Sequence, residues 1–393
     1  MDYNPFLPEV QYNPFPYYAY LREHAPVYQV PGVGFWAISR YEDVLAILRD
    51  PHLFSSGGFV SAVVGESNPW PPEAPAMLEI DPPEHTRLRR LANRAFTPRR
   101  IANLEQHVRE VMRDLLAQVP APGECDLVQE LSGPLPTIVI AELLGVPPQR
   151  RHDFKRWTEN IVKSTTGAVL TPEDRTQIRQ SIDEFRAYFL RAIEAYRRQP
   201  GDNLLSDLVR AEEEQQRLTG EEILSVAILL LIAGSETTTN LIGHAMLALL
   251  NQPQDLARVR ANPALIPNLL EETLRYDGPI QLFPRQAMQG VEVAGTVIPA
   301  GSMVLALIGS ANRDERKFPD PDRFDLTRNA EGHVGFGFGV HFCLGSQLAR
   351  LEARVAVEEI LGRFPHLERK DEPVTRIESL LFRGLKTLPL EVE

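Results

Sequence analysis

The run Phe336-Gly337-Phe338-Gly339-Val340-His341-Phe342-Cys343-Leu344-Gly345 places a lone thiol at the end of a glycine-punctuated loop, just before a helical stretch. The glycines let the backbone turn tightly and approach a flat macrocycle closely. Amides aimed at the sulfur, with the N-terminus of the following helix, favour thiolate over thiol. Such a thiolate suits ligation of haem iron, where its electron density favours O–O cleavage. A small buried cysteine in a glycine-rich turn is the other reading of these residues. Cys125, in Pro122-Gly123-Glu124-Cys125-Asp126, has no comparable surroundings and reads as a structural or exposed free thiol.

Three further groups could do chemistry. Ala233-Gly234-Ser235-Glu236-Thr237-Thr238 sets an acid beside a hydroxyl in the middle of an apolar helical pattern. A buried acid is costly unless solvated or paired, and an interior glycine costs about 1 kcal/mol relative to alanine. Glu236 and Thr237 there could relay protons to dioxygen. Equally, the hydroxyls could bond back to their own helix while Glu236 reaches solvent. Glu272 and Arg275, three apart, share one helix face, where such a pair is ordinarily a surface salt bridge. His85 and Arg89, four apart, share one helix face and could hold an anionic group, or could be solvated.

These segments carry a resemblance. The cysteine loop fits Phe-Gly-x-Gly-x-His-x-Cys-x-Gly at every fixed position and continues through Leu348-Ala349-Arg350. The chain resembles the cytochrome P450 family from about Asn13 to its end, with four motifs in the family's order. The resemblance implies one haem domain over 1–393, mainly α with small β-sheets and roughly triangular. Its β-rich side would lie near the N-terminus and at 279–310. It implies haem b between the long helix and the loop, with Cys343 as the axial and only metal ligand. Phe336, Gly337, His341 and Gly345 would complete the loop's contribution. His85 and Arg89, within Asp81-Pro82-Pro83-Glu84-His85-Thr86-Arg87-Leu88-Arg89, and Arg285, within Pro284-Arg285-Gln286-Ala287, would hold the propionates. Glu236 and Thr237 would be the acid–alcohol pair, Glu lengthening the arm relative to Asp. Arg323, in Pro321-Asp322-Arg323-Phe324, would complete a structural cluster with Glu272 and Arg275.

The elements that must position these residues are mostly helical. Apolar spacing predicts helices over Tyr41–Arg49, His85–Phe96, Arg99–Val119, Leu135–Leu144, Pro172–Arg198, Leu204–Glu214, Pro267–Tyr276 and Ser346–Phe364. Thr219-Gly220-Glu221-Glu222 reads as a capping box that opens a buried helix running to Leu250. Short strands are expected at Phe35–Ile38, Val291–Val293, Thr296–Ile298 and Met303–Leu305, with strand and turn from Leu381 to Val392. The stretch up to about Pro31 reads as irregular, and Ser55–Ala76 as a loop.

The 41 basic and 53 acidic residues give a formal charge of −12, which disfavours nucleic acid as a partner. Two cysteines fit a reducing cytoplasm. The first residues lack a signal pattern, and the longest apolar run, Val226–Ala233, is too short to span a bilayer, so no membrane anchor is expected. No fused reductase is expected, since the chain ends soon after the loop. The resemblance implies a monooxygenase: one oxygen atom enters an apolar molecule by hydroxylation or epoxidation, and the other becomes water. Electrons would come from NAD(P)H through a ferredoxin or flavodoxin and its reductase. A peroxide-driven enzyme and a haem sensor remain the alternatives, both disfavoured by the Glu236–Thr237 pair; coupling or desaturation would use the same oxidant. The substrate pocket would be lined by 59–70, 229–233, 280–283 and 380–382. Arg87, Arg90, Arg94 and Arg350 would either receive the acidic redox partner or pair with nearby glutamates.

Overall fold

The computed structural model describes residues 2–58, 68–165, 170–213 and 216–393. Helices dominate and the strands are short. The chain forms two compact units: Met1–Ser55 with Glu105–Pro134 and Thr237–Glu393, and Ser56–Leu104 with Leu135–Glu236.

In the first unit a five-stranded sheet runs in the order Val27–Gln29, Trp36–Ile38, Met303–Ala306, Phe283–Ala287, Phe54–Ser55. Its register sets Val304 opposite Trp36 on one side and Arg285 on the other. Val304 and Ala306, two apart and so on one face, join Ile38 and the Val44, Ile47 and Leu48 side chains of the Tyr41–Arg49 helix in one core. A second sheet joins Leu367–Arg369, Pro389–Val392 and Gly123–Asp126. Cys125 is buried there, and that burial, with Glu130 and Asp126 nearby, pushes its pKa up to about 12. It is a structural thiol. The Glu105–Leu116 helix packs on the Ser346–Arg363 helix, with Arg109 bonded to Glu358 and Glu359 at 2.7 and 2.6 Å and Arg354 to Glu105 at 2.7 Å.

The second unit is helical around an aromatic cluster. Phe154 and Trp157 of the Arg151–Thr165 helix meet Phe185 of the Pro172–Arg198 helix, with ring centroids 6.4 and 6.0 Å apart. Trp157 Nε1–H donates to Glu184 at 2.9 Å, so its polar edge is satisfied. The 31-residue Gly220–Leu250 helix has residues in both units. Its capping box is formed: Glu222 N–H donates to Thr219 Oγ1 at 3.2 Å, and Thr219 N–H to Glu222 Oε2 at 2.7 Å. The helix is long and apolar enough to cross a membrane, but 67% of its apolar window is buried, as in a core helix.

Four expectations change. The N-terminal stretch is not irregular: it holds the helices Pro8–Tyr12 and Phe15–His24, each with proline in its first turn, where a missing N–H costs nothing. The helix expected from Leu204 to Glu214 stops at Arg210, and a two-stranded hairpin follows. The helices Arg151–Thr165 and Pro253–Ala261 were not expected; the latter buries only Val259, too little for a readable apolar stripe.

The fourth concerns the arginine cluster. Arg275 and Glu272 form a fully buried bidentate pair at 2.7 Å, and Glu272 Oε1 also accepts Asp325 N–H at 2.9 Å. The second arginine on Glu272 is Arg328, at 3.1 Å, not Arg323. Arg323 points outward to Asp320 and Asp325 and lends the cluster only its carbonyl, to Arg275 Nη2 and Arg328 Nη2. The turn through Asp325 brings residue 328 back over the helix, which a linear motif cannot show. Replacing Arg328 by Ala should therefore lower the unfolding free energy by about 2–3 kcal/mol, the scale of a buried hydrogen bond to a charged group. Arg323→Ala should leave the urea midpoint nearly unchanged; equal losses in the two variants would refute the assignment.

Candidate functional site

The Cys343 loop is a closed turn. Cys343 N–H donates to the Phe336 carbonyl at 2.9 Å, and Gly337 N–H to Val334 at 2.9 Å. Gly337 and Gly339 have φ of +73° and +71°, the left-handed region that a side chain would strain. A Cβ at Gly339 would also lie 2.8 Å from the Leu48 carbonyl. Gly345 differs: nothing lies within 4 Å of a Cβ built there, so its face is open. Cys343 is partly exposed, and the Ser346–Arg363 helix begins three residues later. An accessible thiol next to an open glycine face fits a flat, thiolate-ligated macrocycle.

The loop is fixed from the buried pair. Arg275 Nη1 donates to the Asn312 carbonyl at 3.1 Å, and Asn312 Oδ1 accepts Val334 N–H at 2.7 Å. The same unit carries the other expected donors. Arg285, 8% exposed, lies on the Phe283–Ala287 strand, and His341 ends the short Gly339–His341 turn. In the second unit His85 is buried on the Glu84–Ala95 helix, with Arg89 one turn on. Burial, then the Arg89 charge, lowers the His85 pKa to about 4, so its imidazole is neutral at pH 7 and donates one N–H.

Along the buried Gly220–Leu250 helix, Leu229, Ala233 and Thr237 are not buried, while most of their neighbours are. Their spacing of four puts them on one stripe, with Glu236 and Gly234 at its edges. The expected acid–alcohol pair thus sits on the uncovered face. Gly234 has a packing reason as well: a Cβ there would lie 2.8 Å from Ile140 Cδ1.

Two of the expected pocket strips run together. Gln281 N–H donates to the Leu381 carbonyl at 2.9 Å, Arg383 N–H to Pro279 at 2.7 Å, and Ile280 pairs with Phe382. Beneath them Asp277 accepts from Arg383 Nε at 2.5 Å and Arg376 Nη2 at 3.1 Å. Burial raises the Asp277 pKa, but the guanidinium charges outweigh it and hold the carboxyl well below its usual range. His244 Nδ1–H donates to the Asp277 carbonyl at 2.6 Å, so Nε2 is the acceptor for Arg376 Nη1 at 3.1 Å. His244 lies two turns beyond Thr237. Sequence reasoning missed this node; its members are spread over 140 residues, and the only signal was four ionisable residues amid apolar segments. The strip 59–67 lies outside the described residues, while Trp70 is buried with Nε1–H on the Ser225 carbonyl at 3.3 Å.

Comparison with known proteins is decisive here: the Cytochrome P450 family model matches residues 18–392. The chain belongs to the cytochrome P450 family. It is 42% identical to Cytochrome P450 107B1 of Saccharopolyspora erythraea over 95% of this chain and 93% of that protein. It is 40% identical to 6-deoxyerythronolide B hydroxylase of the same organism, over 96% and 95%. The structure of Cytochrome P450 CYP109Q5 from Chondromyces apiculatus matches with a TM-score of 0.91 at 41% identity, covering 100% of this chain and 98% of that one. This P450 is therefore an oxidoreductase with haem b as cofactor, supplied with electrons from NAD(P)H indirectly through redox partners.

The expected docking arginines divide. Arg87 pairs with Glu84 at 2.5 Å and also with Glu222, and Arg350 pairs with Glu271 at 2.6 Å, so these two are committed inside the fold. Arg90 and Arg94 are exposed on the Glu84–Ala95 helix.

The His244 node predicts a pH dependence. Burial lowers the His244 pKa to about 4, against 6.5 for the free ring, so the unfolded chain binds more protons between those values. Stability should fall as pH drops from about 6.5 towards 4, and His85 adds to the same slope. His244→Gln should lose less stability between pH 7 and pH 5 than wild type in urea titrations; an unchanged slope would refute the neutral buried assignment.

Proposed function

We propose that this P450 is a single-domain haem-thiolate monooxygenase that inserts one atom of dioxygen into an apolar organic substrate. The observation that carries the reading is the Cys343 turn, with its open Gly345 face and left-handed glycines, in a chain of this family. Cys343 would ligate the haem iron through its thiolate. Arg285 and His341 would supply donors and charge to the haem propionates, a role the family resemblance extends to His85 and Arg89. Phe336, Gly337 and Gly345 shape the thiolate side. When bound, the haem supplies the oxygen-activating chemistry, which thiolate ligation favours.

Thr237 holds a proton-donating hydroxyl on the uncovered stripe, and Glu236 beside it carries protons inward. Leu229 and Ala233 line the same stripe, and within the first unit the 280–283 and 380–382 strips are mostly apolar. The substrate is a hydrophobic molecule such as a fatty acid, terpenoid, steroid or macrolide, and one relative is named for a hydroxylation of 6-deoxyerythronolide B. Hydroxylation or epoxidation follows. An acidic ferredoxin or flavodoxin, with its reductase, is the partner, and the exposed Arg90 and Arg94 offer it a basic contact. The chain acts in the cytoplasm.

Two experiments test this. Reduced, carbon monoxide-bound protein should show the strongly red-shifted Soret band of thiolate ligation, and Cys343→His should abolish it; a variant that keeps the band would show that Cys343 is not the ligand. Thr237→Ala should still bind haem and consume NAD(P)H, yet divert much of the reducing power to hydrogen peroxide. Product formed per NAD(P)H, measured on a substrate with no hydroxyl near the oxidised carbon, should fall severalfold. An unchanged ratio would mean that Thr237 serves only the helix.

A further inference from the structure

Arg350 contacts the thiolate loop without being expected to touch the cofactor. Its Nε and Nη2 donate to Glu271 Oε1 and Oε2 at 2.6 and 2.9 Å. Its guanidinium carbon lies 4.4 Å from the centroid of the Phe336 ring. Phe336 opens the loop, and its carbonyl receives the Cys343 amide at 2.9 Å. Glu271 reaches the same ring by a second route. His333 Nδ1 accepts Gly335 N–H at 3.1 Å, so Nε2 carries the proton and donates to Glu271 Oε2 at 2.9 Å. The His333 ring lies 6.2 Å from Phe336, and the Phe342 ring 6.3 Å from it.

We propose that Glu271, Arg350 and Phe336 form a clamp that fixes the backbone of Cys343 and so keeps its thiolate on the iron. The proposal rests on the haem-thiolate reading above. All three are positioning residues. The two-point grip of Glu271 fixes the plane of the guanidinium, which a single bond would leave free to rotate. A fixed planar cation over an aromatic face holds the ring by charge–quadrupole attraction as well as by contact. Holding the ring holds the Phe336 carbonyl, and through it the Cys343 amide. An arginine committed in this way is poorly placed to receive a redox partner.

The test follows the ferrous carbon monoxide complex of the holoprotein in a fixed, sub-denaturing urea concentration. The readout is the rate at which the red-shifted thiolate band gives way to the blue-shifted band of the lost thiolate. Arg350→Gln, Glu271→Gln and Phe336→Leu should each convert roughly tenfold faster, the scale of a partly desolvated cation–π contact. Phe336→Tyr, which keeps the ring, should stay near wild type. The double variant Arg350→Gln/Phe336→Leu should convert no faster than the quicker single variant, because each breaks the same link. Rates that follow only the far-ultraviolet unfolding midpoint, or single effects that multiply in the double variant, would overturn the clamp. So would unchanged conversion in Arg350→Gln accompanied by weaker ferredoxin binding, which would assign Arg350 to docking. If Arg350→Gln takes up no haem, the comparison of Phe336→Tyr with Phe336→Leu decides. Absence of the red-shifted band in wild type would instead refute the haem-thiolate reading itself.

Discussion

The Glu272–Arg275 pair, with no solvent exposure on either side chain, is the interaction on which the site depends. Removing two such charges from water costs several kcal/mol per ion, and attraction repays that only when every remaining donor and acceptor is used. Here they are. Arg275 spends two donors on Glu272 and the others on the carbonyls of Asn312, Pro321 and Arg323. Glu272 takes Asp325 N–H and Arg328 as well. The pair therefore acts less as glue than as a template. It stays buried only while segments from three places in the chain hold one arrangement, and Asn312, one of those partners, carries the restraint to the thiolate loop.

The same logic recurs nearby with different partners. Asp277, two residues past Arg275 and the C-cap of the same helix, is held by Arg376 and Arg383, and so fixes the turn that bears Leu381 and Phe382. Glu271, on the preceding residue, is held by Arg350 and His333. One short helix, Ile266–Tyr276, thus directs three adjoining groups of acids and arginines to three tasks: the core, the substrate strips and the thiolate loop. Consecutive residues on a helix point about 100° apart, which is why neighbouring acids can serve different surfaces.

Much of this was legible in the sequence. The capping box at Thr219, the buried helix after it and the strands around Gly295 follow from periodicity and turn chemistry, and the structure has them close to where they were expected. The cysteine loop was legible because ten adjacent residues carry it. The Arg323 assignment failed because proximity in sequence does not say which side chain faces inward when the chain turns at Asp325. For Arg350 the sequence leaves docking and pairing with a glutamate both open, because nothing in its own helix shows that Glu271, 79 residues earlier, meets it.

By itself, then, the sequence determined what is local: the thiol and its glycines, the helix that bears Glu236 and Thr237, the paired spacing of Glu272 with Arg275, and the family these imply. Tertiary structure decided which charges are buried together. Local patterns report backbone preference over a few residues, whereas desolvation of a charge depends on what packs over it from elsewhere in the chain. His244, Asp277, Arg376 and Arg383 are ordinary polar residues until the fold removes water from around them and leaves only one another as partners.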